Sequence, residues 1–318
     1  MLDLSWIGWA AISAVLLGCY DVTKKIAVRQ NAVPIVLLIS ASVGAAIWLP
    51  LIIGSAISPS SLPHPFFQVN PLSLREHVGV FFKSVLVGTS WTLSFFALKR
   101  LPLSIAAPIR STSPFWTIAI ASLVLHERPT AMQWLGIAIV LLAFWAFSLI
   151  SLREGVSFSR DRGVAMMIGA TLLGALSSIY DKFLLQTILL DPATLQAWFS
   201  LYLVPVMIPM AALWWRNASQ SEAREASEAL PAAIHTVFQW RWAILAISPL
   251  LLAADLIYFT ALADPAALVS VVSVVRRCSV VIPFLFGIRA LGEANFWPKA
   301  ACIAVILGGV ALLVSGGA

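Results

Sequence analysis

Two adjacent arginines interrupt one of the most apolar stretches of this chain. Arg276 and Arg277 follow Ala266–Val275 and precede Cys278–Ile288, and neither flank contains another charged residue. A charged side chain near the centre of a bilayer costs at least ~2.5–3.5 kcal/mol, so it faces a protein interior or a wet cavity. A guanidinium stays protonated and forms paired hydrogen bonds with a carboxylate or phosphate. The pair therefore indicates a membrane protein that binds an anionic group.

An aspartate is placed to neutralise one of these arginines. Asp255 lies nine residues before Asp264, which begins a tight Asp-Pro turn, and Arg276 lies twelve residues after it. Antiparallel helices joined by such a turn bring the two residues to similar depth, because a helix rises 1.5 Å per residue. We expect Asp255 to pair with Arg276 or Arg277 when no substrate is bound, or to carry a proton during transport.

Three more charged residues lie within or at the ends of apolar segments. Asp21 and Asp181 each follow a tyrosine. They can cap a helix, pair with a nearby lysine, gate a cavity or carry a coupling proton. Lys83 lies about a turn and a half into another apolar segment, and we expect its long side chain to reach the membrane surface.

The elements that must position these residues are membrane helices. The chain has 318 residues, of which 60% are hydrophobic and 11% charged, whereas soluble domains carry about 25% charged residues. Apolar runs of 18 or more residues are typical of membrane helices. The sequence predicts ten: Trp6–Ala27, Ala32–Ile53, Val78–Leu98, Leu103–Leu125, Ala131–Leu152, Gly163–Leu185, Thr194–Trp215, Trp242–Leu262, Ala266–Ile288 and Trp297–Val314.

The ten segments contain an internal repeat. A shift of 166 residues overlays the fourth and fifth segments on the ninth and tenth without a gap, and it places Arg110 on Arg276 and Glu127 on Glu293. A shift of 160 overlays the first segment on the sixth. Apolar matches are common in such a composition, but matched Arg and Glu residues are not. The chain therefore reads as five helices twice.

An odd number of helices per repeat inverts the second copy. We predict an all-α integral membrane protein of ten transmembrane helices, in two inverted five-helix repeats at residues 1–152 and 163–318. Transporters with inverted repeats bind their substrate near the midplane, between the repeats. Arg110 and Arg276 approach this midplane from opposite faces and are predicted to share one cavity. Trp91 lies at the same depth as Arg110 on the preceding helix.

This arrangement resembles the drug/metabolite transporter superfamily and its EamA-domain family. The resemblance rests on the five-plus-five helices and on the glutamate-bearing turn after the fourth helix of each half, Glu127 and Glu293, and it covers nearly the whole chain. It implies a multi-pass transporter of the cell membrane, with the bacterial inner membrane as the expected location. A homodimer is compatible with it.

The arginine pair also resembles the phosphate-binding basic pair of triose-phosphate translocators, a distant branch. In that branch a basic residue of the fourth helix and an aromatic residue of the eighth line the site. The resemblance implies that Arg110 and Tyr258 are their counterparts. An arginine stands at 276 where that branch favours lysine.

These features predict a secondary carrier that moves a small organic metabolite by alternating access. The predicted substrate is an anion or zwitterion, such as an amino acid, a carboxylate or a phosphorylated compound. No nucleotide-binding loop is present, so proton coupling or exchange for a counter-substrate would drive transport.

The composition argues against other partners and classes. No metal, cofactor or nucleic-acid partner is expected beside the substrate and the lipid bilayer. The alternatives are a membrane enzyme for lipid-linked substrates and a non-transporting scaffold. Four scattered histidines at loops or segment ends argue against the enzyme.

Overall fold

All regular structure in the described part of the chain is helical. The computed structural model describes residues 5–28, 31–58, 62, 64–100, 109, 113, 116–117, 120, 128–151, 162–228, 238–282, 286 and 296–315. The helices within these ranges are α1 Trp6–Val28, α2 Val33–Ile57, α3 Leu74–Arg100, α4 Ala131–Ser151, α5 Arg162–Lys182, α6 Pro192–Glu228, α7 Ala243–Ala263, α8 Val269–Arg277 and α9 Phe296–Ser315. Short 3₁₀ turns lie at Pro65–Phe67 and Cys278–Val280, and a π turn lies at Phe183–Thr187. Residues 109, 113, 116–117, 120, 281–282 and 286 are also helical.

Several of these helices have the length and composition of membrane spans. Among the described residues, five segments are long and apolar enough to cross a bilayer: Trp6–Lys24, Val33–Ile57, Arg162–Thr187, Pro192–Arg216 and Ala243–Ala263. The protein is therefore a multi-pass membrane protein. The fourth predicted segment, Leu103–Leu125, lies almost wholly outside the described residues, so the count of ten and the inverted arrangement stay predictions.

The helices pack in pairs that join the two predicted halves of the chain. Helix α1 lies along α7, α2 along α6, α3 along α5, and α4 along α9. Serine hydroxyls bind across two of these pairs: Ser13 donates to the carbonyl of Ala254 at 2.7 Å, and Ser90 donates to that of Ala170 at 2.7 Å. In lipid such bonds hold helices together where apolar surface alone gives little preference.

The ninth predicted segment, Ala266–Ile288, is helical from Val269 in its described residues, but it is not a uniform α-helix. Helix α8 begins only at Val269 and ends at Arg277, where the 3₁₀ turn follows. The turn at Asp264 delays its start, since the Asp264 carboxylate accepts the Ala266 amide at 2.8 Å. Helical structure resumes at residues 281–282, so the 3₁₀ turn is a local tightening within the segment.

Polar contacts fix the end of α5, next to Asp181. The Gln186 side chain, in the π turn, donates to the carbonyls of Leu262 and Asp264 at the end of α7. Lys182 donates to the carbonyl of Ala267 at 2.8 Å. Single π turns of this kind are frequent at functional sites. The contacts hold the last turn of α5 against the start of α8.

Candidate functional site

One cavity of about 260 Å³ collects most of the charged residues singled out from the sequence. Its charged lining residues are Asp21 and Lys24 from α1, Lys83 from α3, Asp181 from α5, Asp255 from α7, and Arg276 and Arg277 from α8. The described lining thus holds four cations and three carboxylates, a formal excess of one positive charge. Tyr258 and Trp91 line the same cavity.

Three neighbours hold the guanidinium of Arg276. It forms an ion pair with Asp255, one of the two pairings that the depth argument allowed, and the two side chains are only 19% and 13% exposed. Its Nε donates to the Ser13 hydroxyl at 3.3 Å. Its Cζ lies 4.1 Å from the centroid of the Tyr258 ring, close enough for a cation–π interaction. The guanidinium is therefore preoriented at the cavity wall.

Arg277 points to the fourth predicted segment. Its Nη2 donates to the Ser113 hydroxyl at 2.9 Å. Ser273, one turn earlier on α8, lies 3.5 Å from the hydroxyl of Thr117. The fourth and ninth predicted segments therefore meet at the cavity. Arg110 itself lies outside the described residues, so its place at the site stays a prediction.

Lys83 is buried and does not reach the membrane surface, so that expectation is wrong. The residue is 2% exposed, and its ammonium pairs with the carboxylate of Asp181, which is 4% exposed. The ammonium also lies 4.5 Å from the ring of Phe199 and 4.8 Å from that of Phe259. Helix α3 begins at Leu74, earlier than predicted, and this places Lys83 deeper. A carboxylate and two aromatic faces replace the water that the ammonium would seek at the surface.

Tyr258 connects the two ion pairs. Its hydroxyl donates to Asp181 at 3.4 Å, while its ring faces the Arg276 guanidinium. The chain of contacts runs from Lys83 through Asp181, Tyr258 and Arg276 to Asp255. A change of charge or position in one pair therefore acts directly on the other.

The remaining site residues hold simpler positions. Asp21 lies on α1, half-buried, one turn before Lys24. Sequence analysis missed Ser13 and the buried role of Lys83. The signal for Lys83 was present, because Asp181 also needs a partner of opposite charge in an apolar segment. The described residues contain no group of three or more His, Cys, Asp and Glu side chains that would hold a metal ion.

Comparison with known proteins gives one family similarity and one shared fold. Residues 4–149 match the EamA-like transporter family. No curated protein gives a significant sequence match. A protein of known crystal structure superposes with a TM-score of 0.66 at 15% identity, covering 96% of this chain and 98% of that one, which shows a shared fold. The match covers the first predicted repeat, just under half of the chain, and this similarity to the EamA-like transporter family indicates a membrane transporter of small molecules.

Proposed function

We propose that this transporter is a secondary carrier that binds a small organic anion, or the anionic group of a zwitterion, at Arg276 and Arg277. One observation carries the proposal: two adjacent guanidiniums line a central cavity large enough for a metabolite. Guanidinium recognises carboxylate and phosphate through two parallel hydrogen bonds. A low-dielectric surrounding strengthens this attraction.

The lining also limits the substrate class. The excess of one cation over the carboxylates among the described lining residues favours an anion over a cation. The carboxylates of Asp21, Asp181 and Asp255 also give the cavity negative groups that could bind the ammonium group of a zwitterion. Amino acids, carboxylates and phosphorylated compounds are therefore the substrates to test, and free cations are not expected to bind alone.

Two features of the packing support alternating access. If the halves are related as predicted, α1, α2, α3 and α4 correspond to α5, α6, α7 and α9. The α1–α7 pair is then equivalent to the α5–α3 pair, and the α2–α6 and α4–α9 pairs are each symmetric. The observed pairs follow this scheme. In addition, α8 passes into a 3₁₀ turn directly after the arginines, and a stretch of 3₁₀ geometry inside a helical segment often marks a functional hinge.

Substrate and carboxylate compete in this proposal. The Asp255 carboxylate is paired with the Arg276 guanidinium, so an anion that binds this guanidinium must displace the carboxylate. The displaced carboxylate then needs another partner or a proton. Coupling to a proton at Asp255, Asp181 or Asp21 and obligate exchange for a counter-substrate both satisfy this requirement.

The experiment is binding and flux with purified, reconstituted protein. Thermal shifts are measured with a panel of carboxylates, phosphate monoesters, amino acids and organic cations, because a bound ligand stabilises the folded protein by mass action. Arg276→Lys is expected to weaken anion binding about tenfold or more, since an ammonium group cannot form the two parallel hydrogen bonds that a guanidinium donates to an anion. Arg75→Lys, an exposed site at the start of α3, is the matched control.

The flux measurement separates the classes of protein. A carrier gives saturable uptake and counterflow in liposomes, whereas a channel gives no counterflow and a scaffold gives no flux. Binding of organic cations with no response to any anion would refute the proposed substrate class.

A further inference from the structure

A small recess opens beside the cavity that holds the two ion pairs. Its volume is about 30 Å³. Six residues form walls of both spaces: Tyr20, Leu37, Trp91, Phe199, Leu251 and Asp255. The recess therefore borders the proposed anion site along shared walls.

Gln196 lies in the wall of this recess with its amide unpaired. The residue, near the start of α6, is 1% exposed, and neither its side-chain nitrogen nor its oxygen has a hydrogen-bond partner. A buried amide without partners is costly, and nearly all buried polar groups in folded proteins are paired. Such an exception needs an explanation, and a ligand that supplies the missing partners is one.

The three serines in the wall of the recess already donate their hydroxyl hydrogens. The hydroxyls of Ser40, Ser200 and Ser248 all donate to backbone carbonyls, at 2.8, 2.7 and 2.5 Å. A primary amide offers two donors and one acceptor. Among the described wall residues, Gln196 is the buried one whose side-chain donor and acceptor both lack a partner, and leucine and alanine side chains form much of the rest.

We propose that the recess is a second subsite of the carrier, in which Gln196 binds a neutral polar end group of the anionic substrate, a hydroxyl or a carboxamide. The inference rests on the proposed function, since the anionic end occupies the arginines. A buried water needs roughly 10–15 Å³, so a recess of about 30 Å³ admits an end group of very few heavy atoms. A site built to pair such a group rejects an analogue that lacks it.

The test compares short-chain ω-hydroxy carboxylates and ω-carboxamides with the unsubstituted carboxylates of the same length. Binding to the full-length protein in detergent is measured by thermal shift and by isothermal titration. The wild-type protein is expected to bind the best polar-ended probe about tenfold more tightly than its apolar counterpart. In Gln196→Met, which keeps the length of the side chain, the two should bind equally.

Stability without ligand gives an independent readout. Gln196→Met removes an unpaired buried amide, so the melting temperature of the empty protein should rise by a few degrees. Gln133→Met is the matched control, because Gln133 is also buried but accepts the Thr130 amide hydrogen at 2.9 Å. That variant should melt lower and keep the wild-type preference for the polar-ended probe.

The outcomes separate the two proposals. Equal binding of both probe types to the wild-type protein, or a preference that survives in Gln196→Met, overturns the subsite and leaves the anion site standing. A lower melting temperature for Gln196→Met also overturns it, because the amide would then have a structural partner. If neither these carboxylates nor the amino acids and phosphate monoesters of the thermal-shift panel bind, the proposed function fails and the subsite fails with it.

Discussion

The ion pair of Lys83 and Asp181 gives the sharpest prediction about how this cavity is stabilised. Lys83→Met keeps the length of the side chain and removes its charge. The Asp181 carboxylate, 4% exposed, then lacks its ammonium partner. Breaking a buried pair in this way costs about 3–5 kcal/mol, and the lost contacts with the Phe199 and Phe259 rings add to it. Total stabilities are about 5–15 kcal/mol, so the loss is a large fraction.

A double-mutant cycle separates the pair from the packing around it. Asp181→Asn should destabilise by a similar amount, because it leaves the ammonium buried instead. The double variant has no buried charge left at this position, so it should be more stable than either single variant. A coupling free energy of about 3 kcal/mol is expected for groups in such direct contact.

The assay is unfolding by denaturant in detergent, with Arg75→Met as an exposed control on the same helix. That control should change the free energy of unfolding by no more than about 0.5 kcal/mol. If the double variant loses as much stability as the two single variants together, the two residues do not act as a pair and the reasoning is wrong.

Three further predictions follow. Asp255→Asn should bind an anion more tightly but turn over more slowly in liposomes; loss of pH-driven uptake with retained exchange would instead assign the coupling proton to Asp255. Gly18→Ala places a methyl group 2.8 Å from the carbonyl oxygen of Ser279, so the free energy of unfolding should fall by about 1–3 kcal/mol. Gly308→Ala, whose added methyl group has no atom within 4 Å, should leave the free energy of unfolding unchanged. Hydrogen bonds from Ser73 lower the pKa of Glu76 below its ordinary value of 4.5. This cap at the start of α3 is therefore present above that value and is lost as the pH falls through the lower folded pKa. Amide exchange of the first turn should rise in acid, and a flat profile would contradict the cap.

The depth of a site residue in the membrane could be predicted from the sequence, but the direction in which its side chain points from the helix could not. The pairing of Asp255 with Arg276 followed from counting residues on both sides of one short turn, because rise per residue is constant. The partner of Lys83 lies on another helix, 98 positions away, and no local count reaches it. Gln196 was visible as an amide in an apolar segment, yet only the packing of α6 shows that it borders a recess. The 3₁₀ turn after Arg277 lies in a continuous apolar run whose residue types did not predict it.

The two ion pairs joined by Tyr258 also indicate how the proposed carrier would avoid an uncompensated buried charge. Lys83, Asp181, Arg276 and Asp255 cancel formally, and Tyr258 joins the two pairs. An anion that takes the Arg276 guanidinium leaves Asp255 uncompensated in a site where unpaired charge is costly. Binding is then favourable only if Asp255 gains a proton, or if the helices move so that it gains a new partner. Substrate entry would therefore be tied to one of these two events by the charge balance of the cavity itself.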